Sequence, residues 1–331
     1  MATTAASPPD EQIIDPALPI VDPHHHLWDH PGQRYLLDEL LTDTGSGHRV
    51  DATVFVDCMA FYRDDGPEAL RPLGETEFVN GVAAMAASGR YGPTRACAAI
   101  VGHADLRLGT AVREVLQRQL AVGNGRFRGI RYTAGWDADA RIRPSHTNPP
   151  PGLYRDPAFR AGFAELAPLG LSFDAWQYHP QLPDVIALAR DFEATTIVLD
   201  HAGGPLGIGP YAGRGDETFA RWRRDIAELA RCPNVVVKLG GLGMKIGLFD
   251  FHRRAQPPGS AELAAAFRPW IETCIETFGA QRCMFESNFP VDKVSSSYAV
   301  LWNAFKRLAA GASAADKAAL FAGTARRTYR L

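Results

Sequence analysis

The chain has 331 residues, of which 46% are hydrophobic and 22% charged, and its formal net charge is −2. That length can bury one large core, and the near-zero charge argues against a nucleic-acid partner or an acidic membrane surface. No apolar run is long enough to span a bilayer, and residues 1–9 lack the basic and apolar segments of a signal peptide. Because the five scattered cysteines contain no C-x-x-C pair, we expect reduced thiols and a cytoplasmic protein without a membrane partner.

Short apolar runs alternate with helix-like segments along the chain. The runs are β-branched and too apolar for a half-exposed antiparallel sheet, so they predict parallel strands that are buried on both faces. Eight such units predict an α/β protein of the TIM (β/α)8 barrel type, with a single domain over residues 18–331 and a flexible tail over residues 1–17. A doubly wound open sheet is the alternative, but no G-x-G-x-x-G or Walker loop favours it. The predicted strands lie in residues 18–26, 53–58, 96–101, 127–131, 171–174, 196–200, 234–239 and 282–286, and the predicted helices in 75–88, 109–122, 156–169, 182–192, 217–230, 261–278 and 296–310.

Long βα loops follow several of these strands. Residues 59–74, 133–155, 202–216 and 240–260 are rich in glycine, proline and aromatic side chains. Loops at the carboxyl end of barrel strands build the site in this fold, so these segments should wall a pocket.

The first predicted strand ends in three consecutive histidines, His24, His25 and His26. Side chains alternate between the two faces of a strand, so His24 and His26 should share one face and His25 the other. Two imidazoles on one face suit either a shared metal ion or a shared polarised carbonyl.

Other strand ends add further candidates. Arg131 follows Gly-Ile on the fourth strand and could hold a substrate carboxylate in a bidentate fork. His201 follows the apolar sixth strand and precedes Gly203 and Gly204, which would let the backbone approach a ligand. Lys238, on the seventh strand, is expected to be solvated.

Four motifs in order resemble the amidohydrolase superfamily: H-x-H on strand one, G-I-R on strand four, D-H-x-G-x-P on strand six and S-N-F-P on strand eight. The chain is more narrowly similar to the amidohydrolase-2 branch with the sugar-acid lactonases and 2-pyrone-4,6-dicarboxylate lactonase. The resemblance covers nearly the whole chain from Asp22. It implies a distorted TIM barrel with its site at the strand carboxyl ends, and it matches His24, His26 and His201 to the family histidines and Arg131 to the arginine that grips substrate oxygens.

The chain departs from the family pattern at two strand ends. Trp176 or Gln177 takes the place of the fifth-strand histidine, with His179 displaced beyond it, and Asn288 takes the place of the water-activating eighth-strand aspartate. A carboxamide cannot take a proton near neutral pH, so the general base must be another residue if the reaction activates water. Asp292, Glu286, Asp200 and a histidine are the candidates, and we expect Asp292 to take this role. Asp200 has the opposite strand parity to His201 and should face the layer between barrel and helices.

These observations favour a hydrolase that opens a lactone or related cyclic ester of a small carboxylated or sugar-acid ring. Two alternatives are a metal-dependent decarboxylase or lyase, and a non-catalytic barrel that binds a small ligand. One Zn²⁺ or other divalent ion held by His24, His26 and His201 and catalysis without metal are both open, as is homo-oligomerisation. The substrate should be small, anionic and cyclic, and the expected substrate-binding residues are Arg131, Trp176, Gln177, His179, Trp28 and Tyr62.

Overall fold

The computed structural model describes residues 11–331, and its centre is a sheet of eight parallel strands. Each strand pairs with the next one along the chain, as repeated βα units require. Every predicted apolar run overlaps one of them, and the sequential order shows that the doubly wound alternative is wrong. The strands are β1 (Ile20–His25), β2 (Val50–Val56), β3 (Arg95–Gly102), β4 (Phe127–Thr133), β5 (Ser172–Trp176), β6 (Ile197–Leu199), β7 (Val235–Leu239) and β8 (Cys283–Phe285).

The sheet closes on itself between β1 and the segment that follows β8. His25 forms a parallel bridge with Phe289, and the backbone N–H of Asn288 donates to the carbonyl of His24 at 2.9 Å. The Asp22 carboxylate joins the same seam, because its Oδ1 accepts the backbone N–H of Ser287 at 3.0 Å. β6 and β8 have only three residues each, so the barrel is distorted, as predicted.

Helices fill the intervals between the strands, and each of the seven predicted segments overlaps one. The predicted helix over residues 156–169 ends early, at Phe163. The helix before β2 and those at the carboxyl terminus were not predicted. The helices are α1 (Leu37–Thr44), α2 (Leu73–Ala87), α3 (Val112–Val122), α4 (Pro157–Phe163), α5 (Leu182–Asp191), α6 (Gly215–Leu229), α7 (Ser260–Phe278), α8 (Tyr298–Leu308), α9 (Ala314–Ala318) and α10 (Thr324–Tyr329), with a π-helical turn at Ala319–Gly323 and a small hairpin of Trp28–His30 with Gln33–Tyr35.

The strands are apolar on both faces because both faces are covered. On β2, Val54, Phe55 and Val56 are all fully buried. Phe55 packs in the layer between barrel and helices, whereas Val54 and Val56 belong to a separate cluster inside the barrel. Tyr329 of α10 packs into this inner cluster, and its hydroxyl donates to Asp174 Oδ2 at 2.7 Å. The last helix therefore closes the barrel interior and contacts its polar layer.

The segment predicted as a flexible tail is described only from Glu11 onwards. Glu11 Oε1 accepts the backbone N–H of Ser260 at 2.7 Å, and Lys306 Nζ donates to the Asp15 carbonyl at 2.8 Å. The described part of this segment therefore contacts α7 and α8. Residues 1–10 lie outside the described residues, and the flexibility of the segment stays a prediction.

Two expectations from composition can be compared with the structure. All five cysteines are free thiols, and four of them are buried. None of the helices in residues 11–331 is long and apolar enough to cross a membrane.

Candidate active site

Three histidines meet at the carboxyl end of the barrel. The Nε2 atoms of His24 and His26 are 3.3 Å apart, and the ring centroids of His24 and His201 are 4.5 Å apart. All three side chains are buried. The predicted pairing of His24 and His26 on one face is confirmed, and His25 points away from them, with its Nε2 atom 2.8 Å from Thr53 Oγ1.

Hydrogen bonds on the far ring nitrogens determine which atoms face the centre. His26 Nδ1 lies 2.8 Å from the Val56 carbonyl, which only accepts, so Nδ1 carries the proton and Nε2 presents a lone pair. His201 Nδ1 lies 2.7 Å from Glu286 Oε1. Burial raises the pKa of Glu286, but His201 and His24 outweigh it and lower the pKa of this carboxyl to about 2. The ionised carboxylate therefore keeps the proton on His201 Nδ1.

A buried lysine lies behind the histidines. Lys238 Nζ is 2.6 Å from Asp174 Oδ2, 3.0 Å from Asp200 Oδ1 and 3.1 Å from His24 Nδ1. Burial lowers the pKa of Lys238, but Asp174 and Asp200 outweigh burial and raise it, so the amine is charged. The prediction of a solvated lysine is wrong, because Lys238 is on the same face of β7 as Val236, which packs in the inner cluster.

Asp200 also faces the interior, so its predicted outward orientation is wrong. β6 ends at Leu199, and His201 and Ala202 adopt left-handed backbone conformations with φ of 55° and 48°. This turn interrupts the two-residue period of the strand, and Asp200 and His201 both point inward. Asp200 Oδ1 lies 3.6 Å from His24 Nδ1 and 3.0 Å from Lys238 Nζ, and Asp200 Oδ2 has no hydrogen-bond partner among residues 11–331.

Arg131 reaches the histidines from β4, where the sequence predicted a substrate-gripping cation. Its NH1 atom is 3.4 Å from His24 Nε2 and 3.9 Å from Asp200 Oδ2. Its NH2 atom donates to the Asp57 carbonyl, which fixes the guanidinium plane. Only 3% of the residue is exposed, so its field acts in a poorly solvated site.

Asn288 and Asp292 form a pair beside β8. Asn288 Nδ2 donates to Asp292 Oδ1 at 2.9 Å, and the backbone N–H of Gly243 donates to Asp292 Oδ2 at 3.0 Å. Burial raises the pKa of Asp292 to about 7, although His201 and both hydrogen bonds lower it. The amide oxygen of Asn288 is buried without a hydrogen-bond partner among the described residues. A carboxyl that titrates near neutral pH suits a general base.

Three predicted aromatic contacts lie beside the histidines or Arg131. Trp176 packs edge-on against His201 with centroids 4.6 Å apart, and Trp28 stacks on His26 at 5.8 Å. The Tyr62 hydroxyl donates to Asp57 Oδ1 at 2.9 Å, on the residue whose carbonyl holds Arg131. Trp176 also lines a cavity of about 480 Å³ at the mouth of the barrel.

Two other predicted substrate contacts are enclosed by protein. His179 is fully buried, its Nδ1 accepts the backbone N–H of Leu206 at 3.3 Å, and its ring packs on Tyr211. The Gln177 side chain is fully buried, and neither of its amide atoms has a partner among the described residues. His179 therefore belongs to a packed loop, and a substrate contact for either residue stays a prediction.

Sequence reasoning missed an Asp–His pair near Arg131. His146 Nε2 lies 3.1 Å from Asp57 Oδ2. Burial raises the pKa of Asp57, but the hydrogen bond with His146 and nearby positive charge, including that of Arg131, outweigh burial and lower the pKa of this carboxyl. The position of Asp57 directly after β2 was an available signal, whereas His146 lies in an irregular loop where no spacing rule applies.

The donor set fits a divalent cation such as Zn²⁺. Tetrahedral ligand atoms at about 2.0–2.1 Å from zinc are roughly 3.3–3.4 Å apart, which matches the 3.3 Å between His24 Nε2 and His26 Nε2. Ligand atoms of His24, Asp200 and His201 lie within 4.8 Å of one another. The buried Oδ2 atom of Asp200, which has no hydrogen-bond partner among the described residues, is a further suitable ligand atom.

Comparison with known proteins identifies the family. The amidohydrolase family model matches residues 21–331. The chain belongs to the amidohydrolase family. It is accordingly a hydrolase, which argues against the non-catalytic alternative, and the predicted resemblance is confirmed.

Relatives within this family give a narrower comparison. An L-fucono-1,5-lactonase of Burkholderia multivorans is 30% identical, over 94% of this chain and 96% of its own. A crystal structure of an amidohydrolase from Burkholderia multivorans with bound zinc is 29% identical, covers 94% of this chain and 99% of its own, and has a TM-score of 0.72. A putative 2-pyrone-4,6-dicarboxylic acid hydrolase from Pseudomonas putida shares the fold, with 18% identity, a TM-score of 0.64, and coverage of 95% of this chain and 98% of its own.

Proposed function

We propose that this amidohydrolase opens a lactone of a small sugar acid or carboxylated ring. The observation that carries the proposal is the similarity, over nearly the whole chain, to an L-fucono-1,5-lactonase. The site chemistry supports it, because imidazoles and a buried arginine converge beside Asp292, a carboxyl with a pKa of about 7.

The cationic side of the site binds the acyl group. Arg131 and the face of His24, His26 and His201 orient the lactone carbonyl and stabilise the negative charge that develops on its oxygen. Trp28, Tyr62 and Trp176 flank the ring of the substrate, and the buried Gln177 and His179 pack behind this wall. The fixed guanidinium of Arg131 is oriented before the substrate arrives, so little reorganisation opposes the reaction.

Asp292 moves the proton. It takes one proton from water as the water oxygen forms a bond to the acyl carbon. The bond between that carbon and the ring oxygen then breaks, and Asp292 returns the proton to the ring oxygen. One water is consumed, one hydroxy acid forms, and Asn288 keeps Asp292 in place through its 2.9 Å hydrogen bond.

His24, His26 and His201, with Asp200 as an oxygen donor, are the residues that would hold a divalent metal. When bound, the metal supplies Lewis-acid polarisation of the carbonyl oxygen.

Lactone hydrolysis can be followed with a pH indicator, because each turnover releases an acid. We expect L-fucono-1,5-lactone and related sugar lactones to be hydrolysed well above the enzyme-free rate, and His201→Asn to lose most of that activity. Asp316→Asn, a change at a half-buried position on α9 outside the site, serves as the control. An unchanged lactone half-life with all lactones would contradict the proposal, and CO₂ release from a carboxylated ring would instead support the decarboxylase alternative.

A further inference from the structure

The cavity at the barrel mouth carries positive charge without acidic partners. Its volume is about 480 Å³, and its 13 lining residues include Arg143 and Lys245 but no aspartate or glutamate. Within residues 11–331, neither of these two cations has a carboxylate oxygen within 4.0 Å. Arg141, which does not line the cavity, instead pairs with Asp139. Arg143 and Lys245 therefore form no ion pair with the described part of the protein.

This charge lies close to the proposed reaction centre. Trp176 lines the cavity and packs on His201 at 4.6 Å. His146, on the same wall, contacts Asp57, whose carbonyl holds Arg131. A substrate whose ester carbonyl lies at the histidines can therefore extend its far end toward Arg143 and Lys245.

The two loops that carry the cations are held in place. The Tyr178 hydroxyl donates to the Arg143 carbonyl at 2.6 Å, and the backbone N–H of Ser145 donates to Gly135 O at 2.8 Å. On the other loop, the backbone N–H of Gly207 donates to Ile246 O at 3.0 Å, directly after Lys245. Fixed backbones reduce the entropy lost when the side chains bind an anion.

We propose that Arg143 and Lys245 form a carboxylate subsite and that the preferred substrate is a lactone with a carboxylate distant from the ring carbonyl. This inference rests on the proposed lactonase function and narrows its substrate class to acidic lactones, whereas L-fucono-1,5-lactone is uncharged. The guanidinium can bind both carboxylate oxygens and the ammonium adds a point charge, and both cations are exposed, so added salt should screen them.

A matched pair of lactones tests the subsite. D-glucaro-1,4-lactone and D-glucono-1,4-lactone differ at C6, where the first has a carboxylate and the second a hydroxymethyl group. We expect kcat/KM to be ~10-fold higher for the glucarolactone at low salt and to decline toward the gluconolactone value as salt is added. In R143Q/K245Q the preference should disappear with little change for gluconolactone, and R141Q is the control on the same loop.

Binding of the open-chain acids separates this inference from the lactonase proposal. D-glucarate has one carboxylate more than D-gluconate, and calorimetry compares their affinities for wild type and R143Q/K245Q. If neither lactone is hydrolysed but glucarate binds ~10-fold tighter only to wild type, the lactonase proposal fails and the subsite stands. Equal binding of the two acids, equal kcat/KM for the two lactones, or a preference that survives in the double variant would overturn the subsite.

Discussion

Asp292 is buried and hydrogen-bonded, and its carboxyl is partly protonated at neutral pH. Its two oxygens accept hydrogen bonds from Asn288 and Gly243, yet burial raises its pKa to about 7. Glu286, in the same site, is ionised because His201 and His24 lower its pKa to about 2 despite burial. Of these two carboxyls, Asp292 is therefore the one suited to exchange a proton during turnover.

Replacement of Asp292 by asparagine should lower kcat for lactone hydrolysis by ~10²-fold or more, because an amide cannot accept the proton from water. The variant keeps the shape of the side chain, so substrate affinity should change much less than kcat. Steady-state kinetics measure both quantities, and near wild-type kcat in this variant would rule out Asp292 as general base.

The pH dependence of kcat/KM tests the role of Asp292 independently. Since the base must be deprotonated, kcat/KM should rise with pH and level off above about 7. In Asp292→Asn this rising limb should vanish from the residual activity. A limb that persists unchanged in the variant would assign the titration to another group.

Lys238 balances carboxylates that are removed from water. Replacement by methionine should destabilise the fold by ~3–5 kcal/mol, because breaking a buried ion pair leaves charge uncompensated. Burial raises the pKa of Asp174 to about 6, so the folded state holds this proton more tightly than the unfolded state. The contribution of Asp174 to the free energy of unfolding is therefore present at low pH and is lost as pH rises through about 6. Urea unfolding should therefore show a larger loss at pH 8 than at pH 5.

Two further variants control the Lys238 experiment. Lys317→Met removes a charge from the surface helix α9 and should leave stability nearly unchanged. Lys238→Met with Asp174→Asn should recover part of the loss, because it removes one of the unpaired carboxylates. No recovery in the double variant would indicate that Lys238 stabilises the fold through packing instead.

At the scale of elements, the loop after β7 presses on the turn after β6. Gly241 has φ of +67°, and a Cβ atom there would lie 2.5 Å from the His201 ring. Gly213 has a similar φ of +72°, but a Cβ atom there meets nothing within 4 Å. Alanine at either position strains the backbone, but only alanine at 241 also displaces His201. Comparison of the two variants therefore separates these effects.

Gly241→Ala should lower kcat/KM by ~10²-fold relative to Gly213→Ala, because small displacements of catalytic groups are costly. Both substitutions place alanine in a left-handed conformation and should cost about 1–2 kcal/mol of stability. Kinetics and thermal unfolding of both variants provide the comparison. Equal activities would mean that the His201 position tolerates movement.

The same two elements show what sequence patterns could and could not predict. Alternation placed His24 and His26 together, although β1 ends at His25 and its pairing with β2 is irregular between Asp22 and His25. It failed for Asp200, because the left-handed turn at His201 and Ala202 has no strand period. The same alternation places Lys238 inside the barrel, but the usual preference of lysine for water argued against that position. The ion pairs with Asp174 and Asp200 make the buried position favourable, and the sequence does not show them.

For the whole molecule, the barrel was predictable because parallel strands buried on both faces need nearly continuous apolar runs. The cavity at the mouth was not, since Arg143 and Lys245 come from irregular loops more than 90 residues apart. Likewise, the contact of Tyr329 with Asp174 joins the last helix to β5, and no local pattern anticipates it.

Metal binding should increase the thermal stability of the folded protein. A ligand that binds only the folded state raises the melting temperature by mass action. We expect Zn²⁺ to raise the Tm of protein that has been treated with a chelator, and His24→Asn or His26→Asn to lose most of this shift. Thermal unfolding with and without zinc measures the effect, and an identical Tm in both conditions would favour catalysis without metal.

The most direct measurement is hydrolysis of L-fucono-1,5-lactone in H₂¹⁸O, followed by mass spectrometry of the product. Attack of water on the acyl carbon predicts one ¹⁸O atom in the new carboxylate per turnover, at a rate well above that without enzyme and strongly reduced in Asp292→Asn. Labelling no faster than in the enzyme-free reaction, with this lactone and with D-glucaro-1,4-lactone, would contradict the assignment of this chain as a lactonase.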